Sequence, residues 1–147
     1  MDKRIVRFLK KHHVCTLATC HDGQPWCTSV FYLFMEEEMT LVFTSDPATR
    51  HITEGLRNQK VAGTIHLETE MIGLIRGVQF SGVLLQPELE LKKKVLMAFL
   101  KRFPYAVLRS TPVWVVNLYE IKFTDNRLGF GKKLMWSRND STNFSNP

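Results

Sequence analysis

An Asp-Gly pair at positions 22 and 23, set between two strand-like runs, constrains this chain more than any other feature. Residues that tolerate positive φ close a two-residue hairpin, so residues 14–20 and 26–34 are expected to pair as antiparallel strands. Glu36-Glu37-Glu38 makes a charged second turn, and residues 40–45 return as a third strand. Ser45 or Asp46 then caps a helix running to about residue 58, with Pro47 in its first turn. This junction sets the hydroxyls of Thr44, Ser45 and Thr49 beside Arg50, His51 and the free N–H groups of a helix start. Hydroxyls, a guanidinium and backbone donors together make a phosphate cradle. Taken alone, these residues favour the plainer reading, a helix cap with an exposed arginine.

The rest of the chain continues the same alternation. Residues 61–68 and 77–86 read as strands, with 71–75 either strand extension or loop. Pro87 opens a helix to about residue 103, whose Leu89, Val95, Leu96, Phe99, Leu100 and Phe103 form an apolar side. Residues 113–123 are apolar on both faces in their first half, which calls for cover on two sides. Asp125-Asn126 turns the chain into residues 127–136, and residues 1–13 alternate basic and apolar groups as an amphipathic helix. The expected fold is mainly β: a six- to seven-stranded antiparallel split β-barrel with inserted helices. Barrel closure removes exposed edges that such apolar strands cannot safely present. A twisted sheet with helices on one face is the alternative. Residues 1–136 form one domain, and 137–147 a polar tail expected to lack order.

Composition excludes several classes. A chain of 147 residues suits a single domain, and no apolar run approaches bilayer length. The N-terminus lacks the apolar block and cleavage site of a secretory signal, so a cytoplasmic protein with no membrane partner is expected. Cys15, Cys20 and Cys27 are odd in number and lack finger spacing, so reduced, buried thiols are expected. Cys20 and Cys27 fall on one face of the hairpin. The net charge of +6 permits anionic partners. Its basic residues fall in three separate places without a stacking motif, and nucleic-acid binding is not expected. His12, His13 and His21 with the nearby cysteines match no zinc spacing, so no metal site is expected. No phosphate loop, nucleophile elbow or paired-carboxylate signature occurs.

Read in order, the chain resembles the FMN-binding split-barrel superfamily typified by pyridoxamine 5'-phosphate oxidase, and within it the YhbP-type branch. The resemblance covers about residues 14–136. It is carried by Gly23-Gln24-Pro25-Trp26, Leu41-Val42-Phe43-Thr44-Ser45, Thr49-Arg50-His51, Asn58-Gln59-Lys60-Val61-Ala62 and Leu128-Gly129-Phe130-Gly131-Lys132-Lys133. The resemblance implies an FMN site at the interface of a homodimer. The backbone of Ser29, Val30 and Phe31 would run along the flavin ring. Thr44, Ser45, Thr49 and Arg50 would hold the phosphate, with His51 replacing a family lysine, and Gln79 would face the ring.

Departures accompany the matches. Thr28 and Leu33 stand where the oxidases carry Arg and Lys, and Thr124 where they carry Trp. The run from Arg127 to Gly131 keeps one Arg and loses a His and a second Arg, so pyridoxamine-phosphate oxidation is not expected. Phe130 or Trp136 would cover a partner's flavin, though core or interface packing is the commoner role. A flavin-dependent oxidoreductase of unknown substrate is the leading reading. A non-enzymatic binder of haem or another flat anionic ligand, with His51 or His66 as axial ligand, is the second. A nucleic-acid-binding barrel is the third.

Overall fold

The computed structural model describes residues 1–105, 111–129 and 132–138. Helix α1 (Lys3–Lys11) leads into β1 (Val14–His21), β2 (Gln24–Phe31), β3 (Leu33–Met35) and β4 (Thr40–Thr44). Helix α2 (Arg50–Arg57), β5 (Lys60–His66), β6 (Arg76–Leu85), α3 (Leu89–Arg102), β7 (Val113–Asp125) and β8 (Lys133–Ser137) follow. The strands form one antiparallel sheet in the order β2-β1-β5-β6-β7-β4-β3, with β8 also paired to β7. Strands β2 and β3 lie at opposite ends of that path yet are separated by one residue. The chain's step across Tyr32 therefore curls the sheet into a split barrel.

That step corrects the single strand expected over 26–34 and accounts for the higher strand count. Tyr32 is fully buried. Its hydroxyl donates to Leu9 O at 2.9 Å, and its N–H donates to His13 O at 2.7 Å. Tyr32 N–H thus adds one last rung to the β1–β2 ladder, and the buried phenol under α1 anchors the point where the chain leaves β1 for β4. The Asp22-Gly23 hairpin forms as its sequence requires, with φ of 50° and 72° at the two positions.

Ile5, Phe8 and Leu9 of α1 plug the barrel against Leu17, Phe80, Ile121 and Phe123. A second cluster joins Val42, Val113 and Val115 to Val95 and Phe99 of α3. The two apolar faces of β7 are thus covered on both sides, as its pattern demands. Leu89, expected on the apolar side of α3, is 68% exposed. Residues 72–74 form a 3-10 turn rather than a strand.

The helix after β4 begins later than expected. Asp46 Oδ1 accepts from Ala48 N–H at 2.8 Å, forming a separate turn, and Thr49 occupies the cap position of α2. Cys15 is buried, but Cys20 is half-buried and Cys27 exposed, which corrects the expectation of buried thiols. The first residues of the polar tail are held: Ser137 ends β8, and Arg138 donates to Leu118 O, Glu38 O and Met39 O at 2.9–3.0 Å. Phe130, Gly131 and residues 139–147 lie outside the described residues.

Candidate functional site

Strand β4 delivers Ser45 to a fixed position. Its N–H donates to Pro112 O at 3.2 Å, and its carbonyl accepts from Trp114 Nε1 at 3.0 Å. The Asp46 turn then brings Thr49 back beneath it. Ser45 Oγ lies 3.2 Å from Thr49 Oγ1 and 2.8 Å from His51 Nε2, and Thr49 Oγ1 lies 3.3 Å from the same nitrogen. No side chain caps α2, and the N–H groups of Arg50 and His51 have no backbone partner among the described residues. Two hydroxyls, an imidazole and an uncapped helix start therefore converge.

His51 is 8% exposed. Burial holds its pKa below the usual imidazole value, so the ring is neutral at pH 7. Arg50 projects to the side of this triangle. Its Nε donates to Glu54 Oε1 at 2.6 Å, and its guanidinium sits 4.3 Å from the ring centroid of Trp26 on β2. Thr19 Oγ1 donates to Glu54 Oε2 at 2.8 Å. The hydrogen bond from Arg50, then that from Thr19, holds the Glu54 carboxyl below the ordinary carboxylate range. The Arg50 side chain remains 48% exposed, with its terminal nitrogens outside this bond.

Strand β2 is an open edge of the sheet. The bond from Tyr32 N–H to His13 O fixes the phase of its ladder with β1. Paired amides alternate, so Val30 directs its N–H toward β1 while Ser29 and Phe31 direct theirs to the free side. Trp26 links this edge to the start of α2, and Thr44 ends β4 beside Val113. Gln79 is not part of the group. It is exposed on the outer face of β6, opposite Thr64 and Lys122. Strand β6 approaches α2 at Leu84, whose Cδ2 lies 2.3 Å from where a Cβ on Gly55 would sit. Gln79 is five residues upstream, ~17 Å along the strand. His66 is exposed at the end of β5. Trp136 pairs opposite Ile121 and packs on the barrel core, as the plainer reading holds.

An open groove of about 600 Å3 lies on the outer sheet face, lined by Ala18, Cys20, Ala62, Ser81, Val83 and Tyr119 among others. None of the expected cofactor residues lines it. Its floor is small side chains of β1, β5 and β6, with Lys60, Glu120 and Arg138 at its border, and the α2 junction, where the expected phosphate-binding residues meet, is the better candidate for chemistry.

The sequence profile of the family described as pyridoxamine 5'-phosphate oxidase matches residues 1–124. The YhbP protein of Escherichia coli strain SMS-3-5 is 42% identical over 138 residues, covering 94% of each chain. The chain belongs to this oxidase-like family, in its YhbP branch. Among solved structures, a haem-binding protein from Mycobacterium smegmatis shares the fold with a TM-score of 0.74 at 19% identity. That match covers 88% of this chain but 55% of the larger mycobacterial one. An FAD-binding protein from Mesorhizobium loti matches with a TM-score of 0.65 at 16% identity, over 82% of this chain and 92% of its own.

Two partners in the site escaped the sequence reading. Glu54 lies four residues after Arg50 on one helix face, a spacing that pairs opposite charges. Trp26 entered only as part of a family motif. No local signal says that a residue on the hairpin reaches the helix, because that contact depends on barrel closure.

Proposed function

We propose that this protein binds FMN between two copies of the chain, with the phosphate at the start of α2 and the ring along the open edge of β2. The observation that carries the reading is the convergence of Ser45 Oγ, Thr49 Oγ1 and His51 Nε2 at an uncapped helix N-terminus beside Arg50. Such a group suits a phosphate: the backbone N–H groups and Ser45 Oγ supply directional bonds and the guanidinium supplies charge, while Thr49 Oγ1 donates to Asp46 O at 2.7 Å and holds the turn in shape. Thr44 borders it from the end of β4. The free amides of Ser29 and Phe31 suit the polar edge of a flat heterocycle, whereas Val30 contributes its spacing and side chain. Gln79 has no part in this site within one chain, and the placement of the ligand between two copies rests on the likeness to the family.

FMN, when bound, supplies electron or hydride transfer. The chain's own part is to anchor, orient and shield. Arg50 is prealigned by Glu54 and Trp26, so less rotamer freedom is lost when a phosphate binds. His51, neutral at pH 7, offers a hydrogen bond rather than a second charge. The reading does not extend to pyridoxamine phosphate. Leu33 packs toward α3 where the oxidases carry a lysine. Arg127 is committed to Asp125 at 2.9 Å, so few charged donors remain for a second phosphate. Haem binding on the same barrel, with His51 or His66 as axial ligand, is the rival; the contact of His51 Nε2 with Ser45 Oγ would have to yield to a haem iron, whereas a phosphate can join the same hydrogen-bonded group.

Replacing Arg50 by Ala tests the cradle. A charge-assisted contact contributes about 1.5–3 kcal/mol, so FMN affinity should fall about 10- to 150-fold with the fold retained. Equal affinity in wild type and Arg50→Ala contradicts the cradle. A Soret band after haem addition, with no flavin uptake, favours the rival.

A further inference from the structure

The connection between β5 and β6 carries an apolar knuckle. Met71, Ile72, Leu74 and Ile75 are 63%, 68%, 44% and 43% exposed, four large aliphatic groups within five residues. Their backbone is held in place. Leu74 N–H donates to Met71 O at 2.9 Å, and Asn126 N–H donates to Ile75 O at 3.1 Å. Asn126 Nδ2 donates to Ile72 O at 2.8 Å. The fold therefore fastens this loop by its carbonyls and presents its side chains outward, against the usual avoidance of contiguous exposed apolar groups.

Two arginines flank the knuckle, and a basic surface continues from them. Arg76 follows it directly in the chain, and Arg127 follows Asn126. Both are held by Asp125, which is 4% exposed. Arg4, Arg7 and Lys11 of α1 meet Arg76 and Arg127 around one shallow depression, and Lys132 and Lys133 border the next. Among the described residues, Arg7, Lys11, Lys132 and Lys133 have no carboxylate partner. Glu68 and Glu70 precede the knuckle and only partly offset this charge.

We propose that this knuckle docks on an anionic lipid surface, with Ile72 and its neighbours entering the headgroup boundary and the adjoining cations meeting lipid phosphates. Aliphatic tips flanked by Arg76 and Arg127, with further cations on the adjoining surface, match the two requirements of interfacial binding, apolar insertion and attraction to anionic headgroups. The knuckle offers no aromatic ring on which a nucleobase stacks, which separates it from a nucleic-acid surface. The expectation of no membrane partner rested on the lack of a spanning run. No described helix is long and apolar enough to cross a bilayer, and this contact needs none.

The full-length chain is sedimented with phosphatidylcholine vesicles, with and without phosphatidylglycerol. The chain should bind the anionic vesicles, release at high salt, and stay in solution with the neutral ones. Ile72→Glu with Leu74→Glu, and separately Lys132→Glu with Lys133→Glu, should each weaken binding about tenfold or more. All four side chains lie outside the core, and an unchanged melting curve verifies that the fold persists. If the Ile72/Leu74 double variant melts early, the single change Ile72→Ser gives the same reading. No binding to anionic vesicles at low salt overturns the proposal, as does binding indifferent to both variants. Two other results also overturn it: loss of self-association in the Ile72/Leu74 variant by light scattering, which makes the knuckle a contact between copies, and DNA binding that outcompetes vesicles.

Discussion

At the start of α2, Arg50 donates through Nε to Glu54 at 2.6 Å, which leaves its terminal nitrogens for a ligand oxygen. Glu54 therefore both aligns the guanidinium and competes with any anion for its charge. Glu54→Gln should tighten binding of FMN or inorganic phosphate while lowering the melting temperature, because Thr19 and Arg50 lose a charged acceptor; titration and thermal melting read the two effects separately. The depressed Glu54 carboxyl stabilises the fold above the ordinary glutamate pKa of about 4.3, and that contribution is lost as pH falls through its lower folded value. His51 works in the opposite direction on protons. Burial lowers its folded pKa, so the unfolded chain takes up its proton first, and stability declines as pH falls below about 6.5. A bound phosphate reverses that preference by favouring the charged ring. The ratio of wild-type to His51→Gln affinity for FMN should therefore rise as pH is lowered from about 8 to about 6. A constant ratio across that range contradicts contact between His51 and the phosphate. The hydroxyls and Arg50 were legible in sequence because they sit within one short junction. The sequence leaves open whether His51 is neutral or charged, and the burial of the ring favours the neutral form.

The elements show the same division between local and distant causes. The hairpin followed from Asp22 and Gly23 alone, because a two-residue turn needs positive φ at both positions. The start of α2 did not, because Asp46 and Thr49 are both good caps and only the Asp46-to-Ala48 bond decides between them. The break at Tyr32 was equally hidden. Its residues alternate like a strand, and the acceptor that diverts it belongs to α1. Gly63 in β5 is a further case. A Cβ there would lie 2.3 Å from Phe80 Cζ and 2.4 Å from Thr16 O, and the backbone oxygen has little freedom to yield. Gly63→Ala should cost about 1–3 kcal/mol in denaturant unfolding. A loss below about 0.5 kcal/mol would show that β1 and β5 pack less closely than described.

At the scale of the whole molecule, one feature organises the rest: the sheet closes because the chain crosses from β2 to β3 through a single buried residue. That closure sets the open edge of β2 beside the start of α2, through Trp26 and Arg50. The barrel class was legible from alternating strands and turn residues. A site shared by two copies came with the family resemblance and not from any local pattern, and Gln79, exposed on the outer face of β6, stands apart from Arg50 within one copy. The most direct test is a visible-absorbance titration of the apo-protein with FMN, with molar mass followed by light scattering. Saturable uptake of near one flavin per chain by a dimer is the predicted result. No flavin uptake by a folded protein, or uptake unaffected by Arg50→Ala, would contradict it.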